Sequence, residues 1–172
     1  MKYLVGIAVL VIGSWLMAHI WQAYLDKKIA SKRIETLQHC GFESLDGQTV
    51  YIDEFDPQKP TVIIYFKPGC EHCQYEAFEI GKQAEQFEKA NMIMITPDDS
   101  TKRVETFAAK YHLWEVDNLV ILLDRNKQFK NQFGTSIFPS IFIYGKDKKL
   151  LKMYKGEVQM KAIISIIEGN EN

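Results

Sequence analysis

The chain has 172 residues, with 21 Lys and Arg against 22 Asp and Glu and a formal net charge of −1. That balance excludes a general nucleic-acid binder, and the length favours one domain with a real core once any appendage is set aside. Three cysteines are too few for a disulfide-stapled mini-domain, so a close pair among them reads as chemistry rather than framework.

From Tyr3 to Leu25 no residue carries a formal charge, a run long enough to cross a bilayer as a helix. Trp21-Gln22-Ala23 and Ala18-His19-Ile20 are poor signal-peptidase sites, so residues 1–25 are expected to form an uncleaved transmembrane anchor. Trp15, Trp21 and Tyr24 suit an interfacial level, and His19 reads as a polar residue near a membrane boundary. Lys27, Lys28, Lys32 and Arg33 follow the run and only Lys2 precedes it. Taken alone, that charge count would leave the rest of the chain in the cytoplasm. Residues 26–41 are expected to continue the helix or to form a polar stalk. Cys40, preceded by Gln38 and His39, does not fit a lipoprotein site and reads as a free, half-buried thiol.

Leu45 to Gln48 reads as a turn and Thr49 to Ile52 as a short strand. After the punctuation of Asp56 to Pro60, Thr61 to Phe66 (TVIIYF) is a β-branched and aromatic run expected to be a strand buried on both faces. Phe66-Lys67-Pro68-Gly69-Cys70-Glu71-His72-Cys73 then leads from that strand into a helix, whose apolar stripe falls at Cys73, Ala77, Ile80, Ala84 and Phe87. Cys70 is thereby placed at or just before the first turn, where unpaired backbone N–H groups and the positive end of the helix dipole favour a thiolate. Cys73, one turn on, lies within disulfide reach.

Asn91 to Thr96 is expected as a second buried strand, and Ser100 as the cap of a helix from Thr101 to about Tyr111 with Val104, Phe107 and Ala108 inward. Leu119 to Leu123 is a third buried run, turned by Asp124-Arg125-Asn126. A short helix from Lys127 to Phe133 closes at Gly134. Ile141 to Tyr144 and Leu150 to Tyr154 read as a hairpin, and Glu157 to Ile167 as a final amphipathic helix. The alternation of strands and helices predicts an α/β sandwich around a mixed sheet.

Asp46-Gly47-Gln48-Thr49-Val50, TVIIYF, the Cys70–Cys73 pair with Glu76 beyond it, the LLDRN turn, and Gly134 followed by Phe138-Pro139-Ser140-Ile141-Phe142 together resemble the membrane-anchored thioredoxin-like thiol-disulfide oxidoreductases of the TlpA/ResA-like redoxin family. The resemblance covers about Phe42 to Ile167 and implies a thioredoxin-like three-layer α/β/α sandwich over residues 42–172, after the anchor and stalk. It implies Cys70 as nucleophilic thiol, Cys73 as resolving thiol, Pro139 as a cis-proline facing them, and Glu76 as the acid three residues past the second cysteine. Phe138 and Pro139 become the candidate substrate-binding residues. Two positions depart from the family pattern: Gly69 stands where Trp is common, and Ile64 where many thioredoxins bury an Asp.

The reading that follows is a protein-disulfide oxidoreductase, more a reductase than an oxidant, with no cofactor beyond a redox-active Cys70–Cys73 disulfide. Its expected partners are protein thiols and disulfides, a membrane electron donor or a cytochrome-maturation protein, and the group resembled places such a domain on the extracytoplasmic, periplasmic side. Glu71 and His72 are candidates for tuning the thiols with opposite signs. Plainer roles exist beside these: Glu76 as a solvated helix-face carboxylate, and Pro139 as a trans proline at a turn or sheet edge. Three other functions compete. A zinc half-site would draw on Cys70, His72, Cys73 and Cys40, but no second ligand pair is present. A peroxiredoxin-like peroxide reductase would need an Arg near Cys70, and Arg103 and Arg125 are far in sequence. A non-catalytic membrane-anchored interaction module would tolerate loss of Cys70.

Overall fold

The computed structural model describes residues 2–169, with the side chains of residues 2–11, 26, 27 and 30 outside that description. Strands β3 (Thr61–Tyr65) and β4 (Asn91–Thr96) have no polar stripe, and every residue of both is buried. This is the pattern of strands covered on both faces. They centre a seven-stranded sheet of order β2-β1-β5-β4-β3-β6-β7, completed by β1 (Gly41–Ser44), β2 (Thr49–Tyr51), β5 (Leu119–Leu123), β6 (Ser140–Tyr144) and β7 (Leu150–Lys155). β3 pairs in parallel with β4, and β4 with β5; the remaining pairings are antiparallel. The sheet is therefore mixed, as expected.

The two-residue period of the strands divides the core. Val62, Ile64, Met92 and Met94 face one layer with helices α2 (Glu71–Lys82), α3 (Thr101–Lys110) and α5 (Met160–Gly169). Ile63, Tyr65, Ile93 and Ile95 face the other, against helix α4 (Phe129–Phe133), Leu37 and Cys40. The β3-α2-β4 and β4-α3-β5 units step the same way across the sheet, so right-handed crossovers put α2 and α3 on one face. Burial of side chains such as Ile80, Phe87 and Ile163, all fully enclosed, stabilises the first layer by about 1.5–3 kcal/mol each.

Helix α1 runs from Lys2 to Arg33. Its described apolar side chains, including Ile12, Trp15, Leu16, Met17, Ile20 and Trp21, are exposed. Among the described residues no helix is long and apolar enough to cross a membrane. The anchor expected at residues 1–25 rests in large part on Met1 and the side chains of 2–11, which lie outside the described residues.

The polar stalk expected to reach residue 41 ends earlier. After α1, Leu37 N–H donates to the Lys148 carbonyl at 2.8 Å and Leu150 N–H to that of Glu35 at 2.9 Å. Leu37 and Cys40 are buried in the second core. The folded unit thus takes in the chain from about Ile34, and β1 follows where no strand was expected, since Phe42 is the one buried residue of GFES. The motif helix stops at Lys82, and Ala84–Phe87 forms a 3₁₀ turn that still buries Phe87. The break follows Gly81, which lies so close to α3's exit that a Cβ there would be 2.0 Å from the Tyr111 carbonyl oxygen. Lys127, expected in a helix, turns with φ +51 instead, so α4 starts two residues later.

Candidate redox site

β3 delivers the chain to the site and β6 brings the opposite wall. Their antiparallel register pairs Tyr65 with Ser140, so the end of β3 that feeds the cysteine loop lies beside the start of β6, where Pro139 sits. The Phe138–Pro139 peptide is cis, and Pro139 is buried. The Pro139 carbonyl is occupied by the Gly156 N–H at 2.8 Å. The backbone acceptor beside the thiols is therefore the Phe138 carbonyl, to which the Cys70 Sγ donates at 3.9 Å. The Phe138 ring lies against Tyr65, centroids 4.8 Å apart.

Cys70 is the N-cap of α2 with φ −91 and ψ 122, and its side chain makes no capping hydrogen bond. It is half-buried, whereas Cys73 is 1% exposed. Both are free thiols. Burial pushes the Cys73 thiol far above its usual range; the hydrogen bond and charge of Cys70 and the charge of Glu76 add to this, while a backbone hydrogen bond at Lys67 opposes it. The Gln74 side-chain amide donates to the Pro68 carbonyl at 2.9 Å and ties the first turn to the loop before it.

Glu76 belongs to the buried stripe Cys73, Glu76, Ala77, Ile80 and is 1% exposed. It is not the solvated carboxylate that its residue type would suggest. Its Oε1 accepts the Val158 N–H at 3.2 Å, and Oε2 is buried with no hydrogen-bond partner among the described residues. Burial raises its pKa to about 8, helped by the charge of Glu157 and opposed by the Val158 N–H. A carboxyl of that pKa is mostly protonated at neutral pH and can accept a proton from a neighbour just above it.

His72 is turned elsewhere than expected: its Nδ1 lies 2.7 Å from Glu157 Oε2, both groups open to solvent. Glu71 is exposed. Adjacent residues Glu157 and Val158 therefore hold the motif helix at two points, His72 and Glu76. The last helix, expected from Glu157, starts at Met160 instead, and nothing in Gly156-Glu157-Val158 signals contact with a segment so far away in sequence.

Cys40 does not join the pair. It sits in the second core, across the sheet from Cys70 and Cys73, and burial with the charges of Asp53 and Asp124 pushes its thiol up to about 12. This removes it from the zinc set considered above. Among the described residues, no group of three or more His, Cys, Asp or Glu is placed to hold a metal ion. Arg103 is closer than its sequence position implied, because it lines a groove with Pro68 and Gly69, but its guanidinium is paired with Asp98 at 2.9 Å. Arg125 instead contacts Glu43 and Thr101.

A dithiol at a helix start, a cis-proline opposite and a central mixed sheet define the thioredoxin-like class of redox proteins. The chain belongs to the AhpC/TSA family, whose profile matches residues 35–153. No curated protein matches it in sequence. Among solved structures it is similar in fold to MTB DsbF, described in mixed oxidized and reduced forms (18% identity, TM-score 0.66, covering 80% of this chain and 96% of that one). It is likewise similar to a secreted Mycobacterium tuberculosis disulfide oxidoreductase homologous to E. coli DsbE (15%, 0.65, 80% and 98%). A third is BsSco, a member of the Sco family of cytochrome c oxidase assembly proteins (20%, 0.63, 80% and 94%).

Proposed function

We propose that the chain is a membrane-tethered thiol-disulfide oxidoreductase that works as a reductase of protein disulfides through Cys70 and Cys73. The observation that carries this is the asymmetry of the pair: a half-exposed Cys70 at the helix start against a Cys73 buried one turn further in. The Cys70 thiolate attacks one sulfur of a partner disulfide, forming a mixed disulfide and expelling the partner's other sulfur, which takes up a proton. Cys73 then gives up its proton and attacks the Cys70 sulfur. The second partner sulfur leaves as a thiolate that takes up a proton; the partner has gained two electrons and two protons, and this chain, which supplied them, is left oxidised as the Cys70–Cys73 disulfide. The ionised form of Glu76, a minority at neutral pH and growing as pH rises toward its pKa of about 8, is the group we assign to receive the Cys73 proton.

The reductase direction is supported by His72. A histidine whose charge stabilised the Cys70 thiolate would favour the reduced form and make the pair oxidising, but this one is engaged by Glu157. The pairing of Arg103 with Asp98 favours dithiol exchange over peroxide reduction. For the tether, the uncharged run Tyr3 to Leu25 and the exposed apolar side chains around α1 support a bilayer anchor; the extracytoplasmic side of the domain follows the group resembled, against the charge count of Lys27, Lys28, Lys32 and Arg33. A cytochrome-maturation protein or a membrane electron donor is the partner class carried into this proposal.

Cys73→Ser tests the mechanism. With the second step removed, a disulfide-bonded adduct with a model disulfide substrate should accumulate on Cys70 and disappear in Cys70→Ser. Absence of the adduct despite a reactive Cys70 would reject dithiol exchange. Labelling of Cys70 in intact cells by a membrane-impermeant alkylating reagent tests the sidedness, and protection of an accessible, reduced thiol would place the domain inside.

A further inference from the structure

Gly69, immediately before Cys70, has open space where a side chain would stand: no heavy atom lies within 4 Å of an added Cβ. That space opens into a groove of about 410 Å³ between the cysteine loop and α3, lined by Pro68, Gly69 and Gln74 on one wall and by residues from Ser100 to Tyr111 on the other. Phe107 and Tyr111 supply the apolar surface, and the cations Lys102, Arg103 and Lys110 the charge; no carboxylate lines it. Arg103 is neutralised by Asp98, whose other oxygen accepts the Ser100 N–H at 2.9 Å. Lys102 and Lys110 have no ion-pair partner among the described residues, and the Lys110 ammonium lies 4.9 Å from the Tyr111 ring centroid. Of the other acids on this helix and its entry, neither Asp99 nor Glu105 is among the groove's lining residues.

We infer that this groove is a specificity subsite for an acidic segment of the partner protein next to the disulfide being exchanged. The inference rests on the oxidoreductase reading above and adds the substrate class to it. A partner chain whose cysteine meets Cys70 has the Phe138 carbonyl on one side. On the side of Gly69 it finds a trough of aromatic floor and unpaired ammonium groups. Such a trough fits an extended segment carrying Asp or Glu beside an apolar residue, and repels a lysine-rich one. Trp at position 69 would fill the opening, so the glycine is what admits the segment.

The test uses three short peptides of equal length, each closed by one disulfide and differing only in acidic, neutral or lysine-rich flanks, reduced by the full-length protein with dithiothreitol as electron source. The expected order of kcat/KM is acidic over neutral over basic, by about fivefold per step at low ionic strength and less in high salt, the size expected of exposed charge contacts. The Lys102→Glu/Lys110→Glu variant should reverse the order, and Gly69→Trp should level it. Equal kcat/KM for the three peptides, or a preference that survives both variants, would overturn the subsite while leaving dithiol exchange standing. If the wild-type protein reduces none of them although Cys70 is free and alkylatable, the oxidoreductase reading fails and the subsite with it.

Discussion

Replacing Glu76 by Gln isolates the one buried acid of the motif helix. The substitution keeps an acceptor for the Val158 N–H and nearly the same volume, but cannot ionise. In the folded protein the carboxyl has a pKa of about 8 against an ordinary 4.5, so it holds its proton over a range in which the unfolded chain has lost it. A pKa raised on folding contributes stability that is fully present below about pH 4.5 and is lost as pH rises through about 8. At about 1.4 kcal/mol per unit, the loss across that window is on the order of 4–5 kcal/mol. Thermal or urea unfolding of the reduced protein should therefore show wild-type stability declining from about pH 5 to pH 8.5, with a much flatter profile for Glu76→Gln and the variant the more stable at the alkaline end. The same variant should slow the attack of Cys73 on a preformed Cys70 mixed disulfide, by about 10²-fold or more if Glu76 takes the proton. Parallel stability profiles for the two proteins would refute the raised pKa of Glu76, and an unchanged rate of that attack would refute its ionised form as the acceptor of the Cys73 proton.

Three further outcomes follow from the same geometry. Alkylation of the reduced protein should modify Cys70 well ahead of Cys73 and Cys40, because both of those are buried and their thiols pushed up; peptide mapping with time resolves the order. Cys40→Ala should leave peptide-disulfide turnover within about twofold of wild type, since that thiol lies in the other core layer and takes no part in the exchange. Gly81→Ala should destabilise the fold by about 2 kcal/mol or more, as its methyl would meet the Tyr111 carbonyl at 2.0 Å and backbone cannot yield as a flexible side chain does; a smaller loss in urea unfolding would mean that α2 and α3 pack more loosely there.

What could be read from the sequence follows the strength of each local signal. TVIIYF and NMIMIT are uninterrupted apolar runs, and both are the buried strands expected. Ser100 caps its helix through the Arg103 N–H, and Gly134 ends α4 in the left-handed region at φ 70. The two cysteines at the strand-helix junction were legible for the same reason, whereas the cis prolyl peptide opposite them was implied by the family resemblance and not by any local signal. Contacts between segments far apart in sequence were not. Glu76 has the residue type of a surface acid and only its place in the stripe Cys73–Ala77–Ile80 points inward. The hold of Glu157 on His72 joins residues 85 apart. Arg103 reaches the groove beside Gly69 only because α2 and α3 share a face of the sheet, a consequence of topology rather than of any motif. Strand β1 was missed because a single buried residue in four leaves no period to detect.

The central claim is that Cys70 and Cys73 form one dithiol couple that serves as a reductant. Equilibration of the protein in dithiothreitol redox buffers, with thiols counted by alkylation and mass, tests it most directly. The expected result is a single two-electron transition confined to Cys70 and Cys73, with Cys40 a free thiol throughout and a potential near thioredoxin's roughly −270 mV. A disulfide involving Cys40, or a Cys70–Cys73 couple near the roughly −120 mV of a strong oxidant, would contradict it.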